Sequence, residues 1–135
     1  MIVYQLETQI SLEEYSIILT ESGLGVRRPM EDLVLLQKMI DGSNLLVTAR
    51  QDQQLIGLLR GLSDFCYRSF VADLAVSMGF QRMGIGRNLI HFAKDLAPNA
   101  RIFLFSAEDA EGFYQKLGFQ LHERCYQLKP EQQLL

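Results

Sequence analysis

A short apolar strand that leads directly into a glycine-rich helix start is the feature that most limits how this chain can fold. Residues 71–76 are largely apolar, and Gly84 and Gly86 follow a short turn and open a helical pattern. Such a helix start leaves several backbone N–H groups without partners, and the helix dipole adds positive potential there. Together with Arg82 and Arg87, this stretch predicts a binding site for phosphate.

The composition is typical of one globular domain. The chain has 135 residues, of which 48% are apolar and 21% are charged, and this is enough for a hydrophobic core. The net charge of −3 argues against nucleic acid as the main partner, because a phosphate backbone requires a basic face. We therefore expect a single domain over residues 1–135, with a flexible tail after about residue 129.

The sequence gives no sign of a metal site, a disulfide framework or a membrane segment. Cys66 and Cys125 lie far apart and form no C-x-x-C pair. The chain starts with a strand-like segment rather than a signal peptide, and no stretch approaches the roughly 18 apolar residues that a membrane helix needs. We therefore expect a cytoplasmic protein that binds neither a metal nor a membrane.

The predicted elements follow the order β-α-α-β-β-β-α-β-α-β. Ser11 is expected to cap the first helix, Pro29 to start the second, and residues from Phe119 to Leu128 to form the last strand. Strands dominate the middle of the chain, and helices join strands on either side. This order predicts the α/β (α+β) class, with a mixed central sheet of about six strands and helices on both faces.

Three familiar phosphate-binding motifs do not fit the glycine-rich stretch. A Walker A loop requires a lysine where Ile85 stands. A Rossmann fingerprint requires glycine or alanine where Leu89 stands, and it normally follows the first strand of a chain. The protein-kinase loop lacks its lysine and its Asp-Phe-Gly partner. The simplest alternative is that Gly84 and Gly86 only form a tight turn.

Two segments together favour one family over that alternative. Residues 81–86 read Gln-x-x-Gly-x-Gly and resemble the Q/R-x-x-G-x-G/A signature of the GNAT superfamily of acetyl-CoA-dependent N-acetyltransferases. Residues 110–119 look like the A-x-x-x-Y-x-K-x-G-F segment of the same superfamily. Because the element order also matches, the resemblance covers nearly the whole chain.

The resemblance implies a splayed sheet that holds acetyl-CoA, the acyl-donor substrate, in its opening. Backbone groups of Leu74, Ala75 and Val76 would pair with the pantetheine arm as an added strand does. The pyrophosphate would lie against the helix start, and Tyr114 would lie near the sulfur. The residues implied for the helix-start part of the site are Gln81, Arg82, Met83, Gly84, Ile85, Gly86 and Arg87.

Tyr114 is the residue expected to act as the general acid. In similar enzymes, the matching tyrosine donates a proton to the departing thiolate. A phenol with a pKa near 10 suits a thiolate of similar basicity. The alternative is an aromatic side chain that only packs beside Phe113.

Asp73 interrupts an otherwise apolar strand and is the candidate for a second catalytic role. It could take a proton from the amine, directly or through water, or hold an ammonium group. The alternative is an aspartate satisfied by backbone donors. Glu108 is a weaker candidate for the same role.

Two further segments, at residues 106–107 and 27–28, bear on the substrates. Many relatives have an asparagine that contacts the pantetheine where Ala107 stands here, so Ser106 is a candidate replacement for that contact. Arg27 and Arg28 lie in the region that often edges the acceptor site in this superfamily. A solvated charge pair is the favoured interpretation of these two arginines, and contact with the acceptor is the alternative.

The leading hypothesis is transfer of an acetyl group from acetyl-CoA to a primary amine, with a small molecule favoured as acceptor. The alternative from another class is a non-catalytic module that binds or senses acyl-CoA on the same fold. Tyr114 and Asp73 discriminate between these functions, because a protein that only binds need not keep them. The resemblance also makes a homodimer possible.

Overall fold

The computed structural model describes residues 1–135 and contains five strands and four α-helices. In chain order they are β1 (Ile2–Glu7), α1 (Leu12–Ser22), α2 (Leu33–Asp41), β2 (Leu45–Gln51), β3 (Gln54–Ser63), β4 (Arg68–Val76), α3 (Ile85–Leu96), β5 (Arg101–Leu104) and α4 (Glu111–Lys116). Short 3₁₀ helices lie at Leu24–Arg27, Met78–Phe80 and Glu108–Ala110. The chain forms two compact units, Met1–Phe105 and Ser106–Leu135, and a single domain over residues 1–135 stays a prediction.

The strands of the first unit form one mixed sheet in the order β1-β2-β3-β4-β5. The first four strands pair antiparallel with their neighbours in sequence, whereas β5 pairs parallel with β4. The parallel connection passes through α3, because a chain needs a crossover to return to the same end of a sheet. The predicted fold class is confirmed, with five strands in place of about six.

Side chains that alternate along β3 divide the sheet into two packed faces. Leu58 belongs to the core under α1 and α2, together with Tyr15 and Leu36. The preceding residue, Gly57, faces α3, where a Cβ would lie 2.9 Å from Cγ2 of Ile85. Helices therefore cover both faces of the sheet, as the sequence predicted.

The predicted last strand, from Phe119 to Leu128, does not form. Leu121 and Tyr126 are 86% and 93% exposed, so the apolar side chains that suggested a strand do not pack against a sheet. The polar residues between them turn the chain, and the backbone N–H of Arg124 donates to Nδ1 of His122 at 3.1 Å. Local bonds of this kind compete with strand pairing.

Two side chains cap the helices under the sheet, one as predicted and one not. Ser11 accepts a hydrogen bond from the N–H of Glu14 at 3.0 Å, which confirms it as the cap of α1. The second helix does not start at Pro29, because Asp32 accepts from the N–H of Leu35 at 3.0 Å and α2 begins after it. An aspartate at this position satisfies an N–H group that proline cannot.

The second unit holds α4 and an irregular C-terminal segment. The segment turns at Lys129 and Gln132, where backbone and side-chain hydrogen bonds join the two residues. A flexible tail stays a prediction. None of the chain's helices has the length and apolar character to span a membrane.

Candidate active site

β4 has a free backbone edge along its second half. The strand pairs with β3 along nearly its whole length, but its parallel pairing with β5 ends at Val71, opposite Leu104. Residues 72–76 therefore have no strand partner on the β5 side. Unpaired edge groups can bind an extended ligand as an added strand, which is what the prediction for residues 74–76 requires.

A bulge in β4 marks the place where its pairing with β5 ends. The register between β3 and β4 shifts between Arg60 and Gly61, which leaves Ala72 as an extra residue on β4. The carbonyl oxygen of Ala72 accepts a hydrogen bond from Nη2 of Arg28 at 2.9 Å. A side chain thus satisfies the backbone group that the bulge removes from the sheet.

The start of α3 has the open N–H groups that the sequence predicts. Gly84 is the N-cap in a left-handed conformation with φ of 82°, and no side chain caps the helix. The first helical bond runs from the N–H of Asn88 to the oxygen of Gly84 at 3.0 Å. The N–H groups of residues 85–87 precede it and are open to an anion.

Some side chains near the start of α3 are exposed, and others are buried. Arg82, Met83 and Arg87 are exposed, and Arg82 adopts a left-handed φ of 65°. Ile85 is only 2% exposed and packs into the core, so only its backbone could meet a ligand.

The side chain of Gln81 supports the connection between β4 and α3 through hydrogen bonds to backbone oxygens. Its Nε2 donates to the carbonyl oxygen of Val76 at 2.9 Å and to that of Ser22 at 3.3 Å. The amide thereby joins the end of β4 to the end of α1. The structure assigns the Gln81 side chain this bracing contact, and its contact with the donor stays a prediction.

Asp73 lies at the centre of a buried ion-pair network. Its side chain is fully buried, and Nε of Arg28 lies 2.7 Å from Oδ1. Nε of Arg60 and the hydroxyl of Tyr15 each lie 2.5 Å from Oδ2. The aspartate is therefore satisfied by side chains rather than by the backbone donors that the sequence suggested.

This network keeps Asp73 ionised and Tyr15 neutral. Burial alone would raise the pKa of Asp73, but the hydrogen bond and charge of Arg60, with Tyr15 and Arg28, hold it below its usual value. Burial, and then the Asp73 charge, raise the pKa of Tyr15. A carboxylate with a lowered pKa is a weak base near neutral pH.

The partners of Asp73 were missed in the sequence. Tyr15 follows the spacing of core residues on a helix, and Arg28 reads as a solvated charge. The favoured interpretation of Arg28 was wrong, because its side chain is ion-paired and 21% exposed. Arg60 gave a usable signal, since it interrupts one apolar strand as Asp73 interrupts the next.

Tyr114 lies on α4 in the second unit. Its ring makes edge contacts with Phe113 and Phe119, at centroid distances of 5.1 and 5.6 Å. Burial raises the pKa of Tyr114, so the phenol keeps its proton at neutral pH. The packing alternative is thus real, and it is compatible with a role as proton donor.

The residues near Ala107 form the start of this second unit. Ala107 precedes the 3₁₀ helix at Glu108–Ala110 and provides no side-chain cap. Ser106 and Glu108 are both exposed. Their predicted contacts with substrates stay predictions.

A comparison with protein families decides the assignment. Residues 19–128 match the sequence model of the family described as Acetyltransferase (GNAT) domain. The chain belongs to the GNAT family. The match includes the glycine-rich helix start at residues 81–87 and the segment around Tyr114, so both motifs of the GNAT resemblance lie inside it.

Curated relatives agree with the GNAT assignment. The uncharacterized N-acetyltransferase ycf52 of Pyropia yezoensis is 30% identical over 101 residues, which is 70% of this chain and 56% of the relative. The chloroplastic GCN5-related N-acetyltransferase 2 of Arabidopsis thaliana is 30% identical over 77 residues, covering 53% of this chain and 29% of the relative. This GNAT chain thus spans about half the length of ycf52.

Solved structures share the GNAT fold. A GNAT-family acetyltransferase from Streptococcus pneumoniae TIGR4 superposes with a TM-score of 0.76 and 24% identity, covering 97% of this chain and 100% of the other. An aminoglycoside N-acetyltransferase in complex with CoA gives a TM-score of 0.69 with 17% identity, covering 97% and 95%. At these identities the likeness concerns the fold alone.

Proposed function

We propose that this chain transfers an acetyl group from acetyl-CoA to a primary amine. One observation carries the proposal: the free edge of β4 is followed, after the connecting residues 77–84, by the uncapped start of α3. An extended amide-bearing arm suits the strand edge, and two linked phosphates suit the helix start. Pantetheine and pyrophosphate occur in this order in coenzyme A.

In this proposal the backbone of Leu74, Ala75 and Val76 holds the pantetheine arm. The N–H groups of residues 85–87 receive the pyrophosphate, and the space beside Gly84 is open, because nothing lies within 4 Å of the place its Cβ would take. The exposed Arg82 and Arg87 add positive charge beside the phosphates.

The chemical step is a direct attack by the amine on the thioester. The amine nitrogen forms a bond to the acetyl carbon, the bond from that carbon to sulfur breaks, and the nitrogen gives up a proton to water. The departing thiolate takes a proton from Tyr114, whose raised pKa favours the protonated phenol before the reaction. The tyrosine then regains a proton from water.

Asp73 enters the proposal as a buried structural anion rather than as the base. Both of its oxygens are engaged by Arg28, Arg60 and Tyr15, and its pKa is lowered. The acceptor therefore reaches the site as the free amine or gives up its proton through water.

Replacement of Tyr114 by phenylalanine tests the acid role. General acid catalysis contributes typically about 10² to 10⁴ in rate, so we expect kcat to fall by about a hundredfold or more. Binding of acetyl-CoA, measured by calorimetry, should stay within about threefold because the ring is kept. Tyr126 belongs to the same unit and is 93% exposed, so Tyr126→Phe is the matched control and should keep full activity.

An unchanged kcat in Tyr114→Phe across a panel of amines would remove the acid assignment.

Small amines are the favoured acceptors in this proposal, and a homodimer and a cytoplasmic location remain predictions beside it. The sheet offers β1 and β5 as its edges for self-association. Sedimentation of the purified chain measures that assembly independently of activity.

A further inference from the structure

Arg28 is more deeply engaged than an arginine in a connecting segment needs to be. It follows the 3₁₀ helix that ends at Arg27, between α1 and α2. Its Nε contacts Asp73 at 2.7 Å, its Nη2 contacts the oxygen of Ala72 at 2.9 Å, and its Nη1 contacts the oxygen of Arg27 at 3.0 Å. One guanidinium thus joins its own segment to two successive residues of β4.

The two residues that Arg28 contacts belong to the bulge. Ala72 is the extra residue of β4, and Asp73 is the first residue after it that again lies opposite β3. The opposite strand, β3, has a glycine beside the bulge where no side chain would fit. A Cβ on Gly61 would lie 2.2 Å from the carbonyl oxygen of Phe70. A planar fork with several donors can satisfy a carboxylate and a carbonyl together, which an ammonium group cannot do in the same geometry.

The bulge lies where the acetyl group of the donor is expected. The pyrophosphate site at the start of α3 follows the end of β4, and the pantetheine arm runs back along residues 76 to 74. The thioester therefore lies beyond residue 74, toward Ala72 and Asp73, where the pairing with β5 ends. This step rests on the proposed function.

We infer that Arg28 is a positioning residue that fixes the bulge of β4 and thereby sets the geometry at the acetyl end of the donor site. Arg28 acts through the backbone oxygen of Ala72 and the side chain of Asp73 and touches no reacting atom. It also ties the segment between α1 and α2 to that end of the site. Small displacements of reacting groups cost rate strongly, so loss of this tie should appear in kcat.

The test compares Arg28→Met with a matched variant, Arg50→Met. Arg50 is 15% exposed and pairs with Glu7 at 2.7 Å and Glu14 at 2.6 Å, so its loss also breaks a partly buried ion-pair network. Neither partner belongs to β4. We expect kcat per acetyl-CoA-binding site to fall about tenfold or more in Arg28→Met, with the KM for acetyl-CoA within about threefold. Arg50→Met should lose comparable thermal stability but keep kcat within about twofold.

Arg28→Lys separates geometry from charge. Lysine keeps the positive charge beside Asp73 but cannot present the same fork to the Ala72 oxygen. We expect it to recover much of the melting temperature while kcat stays near that of the methionine variant. Full recovery of kcat by lysine would overturn the inference, and so would an unchanged kcat in Arg28→Met.

Hydrogen exchange without any substrate gives a readout that does not depend on the reaction. The amides of residues 71–74 should exchange faster in Arg28→Met than in Arg50→Met or the wild type. Unchanged exchange there would overturn the positioning role. If exchange rises in Arg28→Met but the wild type acetylates no amine, the proposed function fails. The conclusion that Arg28 stabilises the bulge of β4 is then kept.

Discussion

At the scale of single residues, Asp73 shows how the partners of a buried carboxylate determine its proton affinity. A carboxylate in an apolar strand can be a base only if its proton affinity is high enough at the working pH. Two arginines and a phenol on a fully buried carboxylate lower that affinity. The same contacts make Asp73 a centre on which α1, β3 and the segment after α1 converge.

Asp73→Asn should destabilise the fold and remove part of its acid sensitivity. The variant leaves Arg28 and Arg60 without their carboxylate, and breaking a buried pair typically costs about 3–5 kcal/mol. Because the folded pKa of Asp73 lies below its ordinary value of about 3.9, its contribution is present above that value and is lost as the pH falls through the folded pKa.

Urea unfolding at several pH values measures this effect. The free energy of unfolding should fall less steeply below pH 4 in Asp73→Asn than in the wild type. Equal slopes would mean that the pKa of Asp73 is not lowered in the folded state. Burial would raise the pKa of Glu7, but hydrogen bonds from Arg50 and Thr48 hold it below its usual value, so Glu7→Gln serves as the comparison.

At the scale of elements, α3 depends on the absence of a side chain in β3. Ile85 and Leu89 pack over Gly57, where a Cβ would lie 2.9 Å from Cγ2 of Ile85 and 3.2 Å from Cδ1 of Leu89. This close approach seats the first turn of α3, whose N–H groups form the proposed phosphate site. The position of the proposed phosphate site therefore depends on how α3 packs against β3.

Gly57→Ala should weaken both stability and donor binding. Overpacking of a core typically costs about 1–3 kcal/mol, and the strain falls on the first turn of α3. We expect a lower melting temperature together with weaker binding of acetyl-CoA by calorimetry. Gly79→Ala is the control, because nothing lies within 4 Å of the place where its Cβ would stand. Unaltered binding in Gly57→Ala would separate the packing of α3 from the site.

The sequence predicted elements well where one local signal dominates. The strand at residues 71–76, the helix from Ile85 and the cap at Ser11 each follow from neighbouring residues, and all three are present. The strand expected up to Leu128 failed because its apolar pattern is interrupted by a polar turn at His122. Pattern alone does not show whether a partner strand exists.

At the scale of the whole chain, contacts between distant residues were the least predictable part of the site. Tyr15, Arg28 and Arg60 reach Asp73 from positions 58, 45 and 13 residues away. No spacing between neighbouring residues in the sequence predicts that these side chains meet at one carboxylate. The helix start at residues 81–87 could be predicted because its glycines and its uncapped N–H groups are consecutive in the sequence.

The proposed function requires that the chain catalyses acetyl transfer to an amine and does not only bind acyl-CoA. The most direct measurement incubates the chain with acetyl-CoA and a panel of amines, amino acids, aminoglycosides, polyamines and peptides, and quantifies free thiol and acetylated product together. We expect at least one amine to yield product and thiol in equal amounts over many turnovers. Tight binding of acetyl-CoA with no thiol release from any acceptor would contradict it and favour a binding module.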